Sequence, residues 1–219
     1  MPDLTSADLT PARLLDLAPV VPVVVIDDER HAVPLARALV AGGLPVIEVT
    51  LRTPAGLTAI AAIAREVPEA VVGAGTVNTP DLVKAAADAG ARFLVSPGWT
   101  ETLLDAMDDS GLPALPGVSS VSEMLRLLER GRRELKFFPA EASGGTAFLK
   151  SVASPVPEVR FCPTGGIRPD TAASYLALPN VGCVGGTWLT PADALAAGDW
   201  DRIQALAAEA ALLGATPRA

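Results

Sequence analysis

Short apolar runs alternate along this chain with longer stretches rich in alanine and leucine. The runs have the length of buried strands, and the apolar spacing between them is that of amphipathic helices. Strands that alternate with helices form a parallel sheet covered by those helices. We predict eight strands, at Val21–Ile26, Val46–Thr50, Ala70–Ala74, Phe93–Ser96, Pro113–Leu115, Glu134–Phe138, Val159–Phe161 and Gly182–Val184.

Eight strand–helix pairs in 219 residues give about 27 residues a pair (219/8), near the lower size limit of a (β/α)₈ TIM barrel. A doubly wound open sheet is the alternative, but the chain has no Gly-x-Gly-x-x-Gly turn. No linker or shift in composition divides the chain. We therefore predict one α/β domain over residues 1–219, with its core at about 21–213, an N-terminal extension, and a closing C-terminal helix at Trp200–Leu213.

Capping residues indicate where several helices begin. Threonine followed by proline is typical of an N-cap and the first helical position, and Ser-x-x-Glu is a capping box. These patterns predict helix starts at Thr53-Pro54, Thr79-Pro80 and Ser120-x-x-Glu123. Pro34 falls inside the first helical pattern, so that helix either begins later than the pattern indicates or bends there.

Charge and hydropathy exclude several classes of partner. With 25 acidic and 17 basic residues the net charge is −8, and no basic stripe is present, which argues against nucleic acid. The longest apolar run, Ala18–Ile26, is too short to cross a membrane. The first residues lack a secretion signal, and Cys162 and Cys183 lie in apolar runs that favour reduced thiols. We therefore expect a cytoplasmic protein.

Polar residues lie at the ends of the predicted strands, where the active sites of such barrels are found. Arg52, Thr76 and Pro97 each follow a strand. Within two other strands, side-chain alternation directs Glu48 and Lys136 into the barrel if their apolar neighbours face the helices.

Lys136 is unusual because the chain has only three lysines among its 17 basic residues. Lysine, unlike arginine, can lose its proton when buried and become a nucleophile. The alternative is a purely structural ion pair between Lys136 and Glu48.

Two glycine-rich segments follow the seventh and eighth predicted strands, Thr164-Gly165-Gly166 and Gly185-Gly186-Thr187. Loops at these positions commonly hold phosphate, because glycine lets backbone N–H groups approach the oxygen atoms. The alternative is that both are plain turns. His31 is the only histidine, so a Ser-His pair is not expected, and no spacing of His, Cys and carboxylates predicts a metal site.

Five motifs in order resemble the 2-keto-3-deoxy-6-phosphogluconate (KDPG) aldolase family, some of whose members also act on 4-hydroxy-2-oxoglutarate (KHG). The resemblance extends from about Val21 to Leu213. Its motifs are Glu-Val-Thr-Leu-Arg-Thr (48–53), Gly-Ala-Gly-Thr (73–76), Ser-Pro-Gly (96–98), Lys-Phe-Phe-Pro-Ala-Glu (136–141) and Pro-Thr-Gly-Gly-Ile (163–167).

The resemblance implies a class I aldolase that needs no metal or other cofactor, built as a (β/α)₈ barrel and assembled as a homotrimer. It implies that Lys136 forms the Schiff base and that Glu48 transfers protons. The residues implied to line the pyruvate half are Arg52, Thr76, Pro97 and Phe138, the first two contacting its carboxylate. The residues implied on the phosphate side are Thr164, Gly165, Gly166, Gly185, Gly186 and Thr187. Thr187 is a departure, because serine often follows Gly-Gly in this motif.

The expected reaction is cleavage of KDPG, a 2-keto acid phosphate, to pyruvate and glyceraldehyde 3-phosphate. Three alternatives remain. The same chemistry would serve another 2-keto acid, such as the C4-epimeric phosphogalactonate or unphosphorylated 4-hydroxy-2-oxoglutarate. A phosphosugar isomerase or synthase barrel would use the glycine-rich loops without a Schiff base. A non-catalytic module would bind a sugar phosphate without turnover.

Overall fold

Nine short strands form two parallel sheets in the computed structural model, which describes residues 9–215. Six strands lie in the order β5-β4-β3-β2-β1-β9, and three lie in the order β6-β7-β8. The strands are β1 (Val20–Val24), β2 (Val46–Thr50), β3 (Val71–Gly75), β4 (Leu94–Val95), β5 (Ala114–Leu115), β6 (Gly117–Val118), β7 (Glu134–Phe137), β8 (Arg160–Pro163) and β9 (Val184–Gly186).

The predicted fifth strand, Pro113–Leu115, corresponds to β5, and an additional strand, β6, follows it after Pro116. Proline has no N–H to give to a neighbouring strand, so pairing stops there and resumes at Gly117 with a different partner, β7. At the other end, single bridges pair Phe161 with Val181 and Thr164 with Gly185, which brings the edge of β8 beside β9. The predicted α/β fold is thus present as a curled parallel sheet, with one more strand than predicted.

The last strand begins two residues later than its apolar run predicts. Val184, Gly185 and Gly186 pair in register with Val20, Val21 and Pro22 of β1. The Gly-Gly pair, predicted to follow the strand as a loop, therefore forms part of it.

Helices follow most strands and cover the outside of the sheet, except the first, which precedes β1 and packs with the inward-facing side chains. They are α1 (Pro11–Asp16), α2 (Ala32–Ala41), α3 (Gly56–Glu66), α4 (Pro80–Asp88), α5 (Glu101–Asp109), α6 (Val121–Glu129), α7 (Gly145–Val152), α8 (Pro169–Leu176), α9 (Ala192–Ala197) and α10 (Trp200–Ala211). The closing helix is confirmed as α10, which packs on α2 and continues as a 3₁₀ turn. The residues predicted as an N-terminal extension are described from residue 9 onward and contain α1; the first eight lie outside the described part. Among residues 9–215, no helix combines the length and hydropathy needed to span a bilayer.

Side chains of the strands divide into two apolar layers. Those facing outward, such as Ile47 and Val49, pack against the helices. Those facing inward form a separate cluster that includes Val46, Phe93 and both cysteines, together with Leu14 and Leu15 of α1. The interior is therefore filled with apolar groups at the amino-terminal ends of the strands, so polar groups can gather only toward the opposite end.

The helix-start predictions are confirmed at two of three positions. Thr79 caps α4, and Ser120 forms a capping box with Glu123 at α6. The prediction for Thr53 is wrong, because α3 begins at Gly56 and the Thr53 hydroxyl instead donates to the carbonyl of Ile26 at 2.5 Å. Pro34 lies in the first turn of α2, where an N–H would have no acceptor within the helix.

Removing the capping box should destabilise the chain measurably. In Ser120→Ala the backbone N–H of Glu123 loses its acceptor, so we expect the free energy of unfolding to fall by about 1 kcal/mol. Chemical denaturation of the variant and the parent chain measures this difference. An unchanged unfolding free energy would mean that water satisfies the helix terminus equally well.

Candidate active site

A cavity of about 310 Å³ opens at the carboxyl ends of the parallel strands. Eleven of the twelve predicted site residues line it, and the exception is Gly186. Three further residues line the cavity and were not predicted as site residues from the sequence: Val23, Thr50 and Ile167. Val23 carries no chemical signature. Thr50 shares the inward-facing register of Glu48 in β2, and Ile167 ends the Pro-Thr-Gly-Gly-Ile motif, so both could have been included on those grounds.

The centre of the cavity is an ion pair between Lys136 and Glu48. Lys136 Nζ on β7 donates to Glu48 Oε1 on β2 at 3.2 Å, and the two side chains are only 7% and 3% exposed. Leu135 and Phe137, on either side of the lysine, pack with the outward layer. Strand alternation therefore directs Lys136 inward, as the sequence predicts.

Phe138 forms a wall beside the lysine. Its ring centroid lies 5.3 Å from Lys136 Nζ, within the range of a cation–π contact. The amine thus has one charged partner, one aromatic face and the open cavity around it.

Glycine in β3 makes room for the Glu48 carboxylate. A Cβ at Gly75 would lie 2.2 Å from Glu48 Oε1, and a Cβ at Gly73 would overlap the ring of Phe93. The Gly-Ala-Gly segment therefore fits one carboxylate and one aromatic ring into the same interior. Larger residues at either position would force those side chains to move.

Thr76 follows β3 in a strained backbone conformation. Its φ of +60° is in the left-handed region, which a β-branched residue rarely adopts at a cost of about 1–3 kcal/mol. Such strain persists where the surrounding structure imposes it and often marks a functional position. Here it places Thr76 in the cavity wall.

Arg52 provides positive charge at the mouth of the cavity. Its side chain is exposed, and it forms no ion pair with an acidic residue among residues 9–215. Several other arginines of the described part are neutralised by acids, as Arg130 is by Glu101 and Asp105. Arg52 is therefore available to bind an anion.

Part of the cavity wall is built from the glycine-rich segments. Gly165 and Gly166 have φ values of +103° and +81°, which turn the chain sharply after β8. A Cβ at Gly185 would lie 2.2 Å from Thr164 Oγ1, so glycine is needed there to admit the threonine hydroxyl. Gly186 faces the ring of Trp188 instead, which explains why it does not line the cavity.

A second, larger cavity of about 390 Å³ adjoins the first and shares Val23 and Thr187 with it. It contains neither Lys136 nor Glu48. His31 lines it, and the ring centroids of His31 and Trp200 lie 5.5 Å apart in an edge-on arrangement. Within residues 9–215, no group of three or more His, Cys, Asp or Glu side chains is arranged to hold a metal ion.

This arrangement has a defined chemical capacity. A buried amine facing a cavity can add to the carbonyl carbon of a small molecule, and a carboxylate beside it can carry protons to and from the adduct. The arginine and the glycine-rich segments both line the cavity, and both favour anions. The cavity therefore suits a small carbonyl compound that carries anionic groups.

A family model described as KDPG and KHG aldolase matches residues 12–206. The chain belongs to the KDPG and KHG aldolase family. It is 56% identical over 197 residues to the KHG/KDPG aldolase of Escherichia coli (strain K12), covering 90% of this chain and 92% of that protein.

Solved structures of KDPG aldolases share the fold. One, from Legionella pneumophila, contains pyruvate captured at low pH as a covalent carbinolamine intermediate; its TM-score is 0.91 at 45% identity, covering 93% of this chain and 98% of that one. Another, from Zymomonas mobilis ZM4 with 3-phosphoglycerate, has a TM-score of 0.87 at 49% identity, covering 93% and 95%.

The buried ion pair predicts coupled effects on stability. Lys136→Met or Glu48→Leu alone leaves one charge in the interior without its partner, whereas the double variant leaves none. We expect the sum of the losses of unfolding free energy in the two single variants to exceed the loss in the double variant by roughly 1–3 kcal/mol. A double-mutant cycle by urea denaturation measures this coupling, and strict additivity would contradict it.

Proposed function

We propose that this chain is a class I aldolase that cleaves KDPG to pyruvate and glyceraldehyde 3-phosphate through a Schiff base on Lys136. The observation that carries this proposal is the buried lysine, 3.2 Å from a carboxylate, inside a cavity at the carboxyl ends of the strands. Membership of the KDPG and KHG aldolase family supports it, as does the carbinolamine captured in the Legionella relative.

Lys136 is the proposed nucleophile. Its neutral amine adds to the C2 keto carbon of the substrate, and loss of water from the carbinolamine gives an iminium ion. The iminium ion withdraws electrons from the C3–C4 bond, which breaks to leave an enamine of pyruvate and release the aldehyde. Protonation of the enamine at C3 and hydrolysis of the resulting iminium ion release pyruvate and restore the lysine.

Glu48 is the proposed proton carrier. It takes a proton from the amine as the carbinolamine forms and returns it to the hydroxyl that leaves as water; it then removes the proton from the C4 hydroxyl as the C3–C4 bond breaks and delivers it to C3 of the enamine. Its contact with Lys136 Nζ places the carboxylate beside the reacting atoms. Gly75 keeps the carboxylate there by leaving space for it.

The pyruvate half of the substrate is proposed to lie against Arg52, Thr76, Pro97 and Phe138. Arg52 binds the carboxylate by charge-assisted hydrogen bonds, and Thr76 adds a hydroxyl donor. Pro97 and the ring of Phe138 provide apolar walls that limit water at the lysine. The lining of the cavity by all four residues supports this placement.

The phosphate half is proposed to lie against Thr164, Gly165, Gly166, Gly185 and Thr187. Threonine hydroxyls and backbone N–H groups at glycine are suitable donors to phosphate oxygens. The Zymomonas relative, solved with 3-phosphoglycerate, supports a phosphorylated ligand in this family. Binding energy at this end orients the C3–C4 bond for cleavage, far from the phosphate itself.

We further propose one domain over residues 1–219 and one closed (β/α)₈ barrel, interrupted in hydrogen bonding at Pro116. The bridges between the β8 and β9 edges support closure. From the resemblance we also propose a homotrimer that needs no metal or other cofactor. A location in the cytoplasm is proposed from the free, buried thiols of Cys162 and Cys183. The mass in solution, from light scattering, tests the trimer.

The decisive experiment is reduction with borohydride in the presence of pyruvate, followed by peptide mass spectrometry. We expect a reduced pyruvate adduct on Lys136 and none on Lys84 or Lys150, which serve as controls within the same chain. No adduct in folded protein would remove the Schiff base, and a phosphosugar barrel without covalent chemistry would then be the better proposal.

Substitution of Lys136 should abolish cleavage without loss of fold. Lys136→Ala removes the amine, and Lys136→Arg keeps a positive charge in a group that cannot lose its proton. We expect both variants to lack turnover in a pyruvate-coupled assay while remaining folded by circular dichroism. Substantial turnover by the arginine variant would show that Lys136 is not the nucleophile.

Substitution of Glu48 should slow the reaction rather than prevent binding. Glu48→Gln keeps the size of the side chain but cannot accept a proton, so we expect kcat to fall by about 10²–10⁴-fold. Rates of KDPG cleavage at saturating substrate measure the loss. A normal kcat would assign proton transfer to another group.

A further inference from the structure

The only tyrosine in the chain, Tyr175, is buried beside the proposed phosphate wall. It lies on α8, the helix that follows the Thr164–Ile167 segment, and it is 1% exposed. Its hydroxyl donates to Glu141 Oε1 at 2.6 Å. Burial, and then this hydrogen bond, raise the pKa of Tyr175, so the phenol keeps its proton and remains a donor.

Glu141 is tied by its backbone to the same glycine-rich segment. Its N–H donates to the carbonyl of Gly165 at 3.1 Å, and the preceding residue, Ala140, donates to the carbonyl of Thr164 at 2.8 Å. Both residues follow β7, the strand that carries Lys136. The chain after the lysine is therefore joined to the chain after β8.

The side chain of Glu141 also packs directly on Gly166. A Cβ at Gly166 would lie 2.7 Å from Glu141 Cγ and 2.8 Å from its Cβ. Gly165 is enclosed in the same way, because a Cβ there would lie 3.3 Å from the ring of Phe138. The two glycines have positive φ values, and the glycine backbone can adopt many conformations, so the position of the turn depends on these neighbours.

Resting on the function proposed above, we propose that Tyr175 and Glu141 are positioning residues that hold the Gly165–Gly166 turn in place for the substrate's phosphate. The tyrosine hydroxyl fixes the carboxylate of Glu141, and the Cβ and Cγ atoms of Glu141 pack against Gly166. The backbone N–H of Glu141 binds the carbonyl of Gly165. Together these contacts form a tether behind the turn. This tether sets the distance from Lys136 to the phosphate donors, and so favours the phosphorylated substrate over the same molecule without phosphate.

Neither residue touches the substrate in this arrangement. Glu141 and Tyr175 do not line the cavity, so the negative charge lies behind the turn and not against the phosphate. One carboxylate oxygen is occupied by the tyrosine hydroxyl. Arg168, which itself pairs with Asp170, lies close enough to attract the carboxylate electrostatically.

The test compares KDPG with the same sugar acid lacking its phosphate, in Tyr175→Phe. This variant keeps the buried ring and removes one hydroxyl. We expect KM for KDPG to rise roughly 5- to 20-fold with little change in kcat, while kcat/KM for the unphosphorylated substrate stays within about twofold. Ser174→Ala, which removes an exposed hydroxyl from the same helix, is the matched control and should change neither.

Glu141 separates the tether from a merely structural effect. Glu141→Gln keeps an oxygen that accepts the tyrosine O–H and keeps the stem, so it should behave like the parent, whereas Glu141→Ala should repeat the KM increase for KDPG. Equal losses on both substrates, or no loss, would overturn the proposal, as would a glutamine variant as impaired as the alanine variant. Failure of the aldolase assignment itself is distinguishable, because the parent chain would then form no adduct at Lys136.

Discussion

The buried ion pair between Lys136 and Glu48 constrains the rest of the structure. Each charge loses most of its hydration, and removing either partner would leave the other buried and unpaired, at a cost in stability. The two residues are 88 positions apart and lie on different sheets, β7 in the three-stranded sheet and β2 in the six-stranded one. The contact therefore exists only because the sheet curls until these strands face one another. A flat sheet with the same strands would leave both charges on separate surfaces.

The curled interior is filled by pairing large side chains with glycine. Phe93 occupies the space left at Gly73, Glu48 the space at Gly75, and Thr164 Oγ1 the space at Gly185. Glycine within a strand weakens it, because the residue packs nothing and loses more conformational entropy on folding. That cost is borne at the positions where a functional side chain or an inward aromatic ring must fit. The apolar cluster completed by α1 closes the other end, which leaves the carboxyl ends of the strands as the place for polar groups.

The sequence predicted the inward placement of Lys136 and Glu48 because the relevant signal is local. Side-chain alternation within Glu134–Phe138 is sufficient to direct Lys136 inward, and the same holds for Glu48 in Val46–Thr50. Prediction failed where a contact between distant segments decides the outcome. Thr53 resembles an N-cap, but the carbonyl of Ile26 takes its hydroxyl and the helix begins later. The Gly-Gly pair at 185–186 resembles a loop, but pairing with β1 draws it into a strand.

Rigid and adaptable parts of the site are built differently, and this has a consequence for specificity. Lys136 and Glu48 project from strands held in a hydrogen-bonded register, so their geometry is fixed by the sheet. The proposed phosphate donors lie instead on a turn of two glycines whose backbone permits many conformations. Precision at that end must come from side chains packed behind it, which is the part that Glu141 and Tyr175 fill. Changes behind the turn can therefore alter which distal group is accepted without disturbing the lysine, and one Schiff-base centre can serve different 2-keto acids.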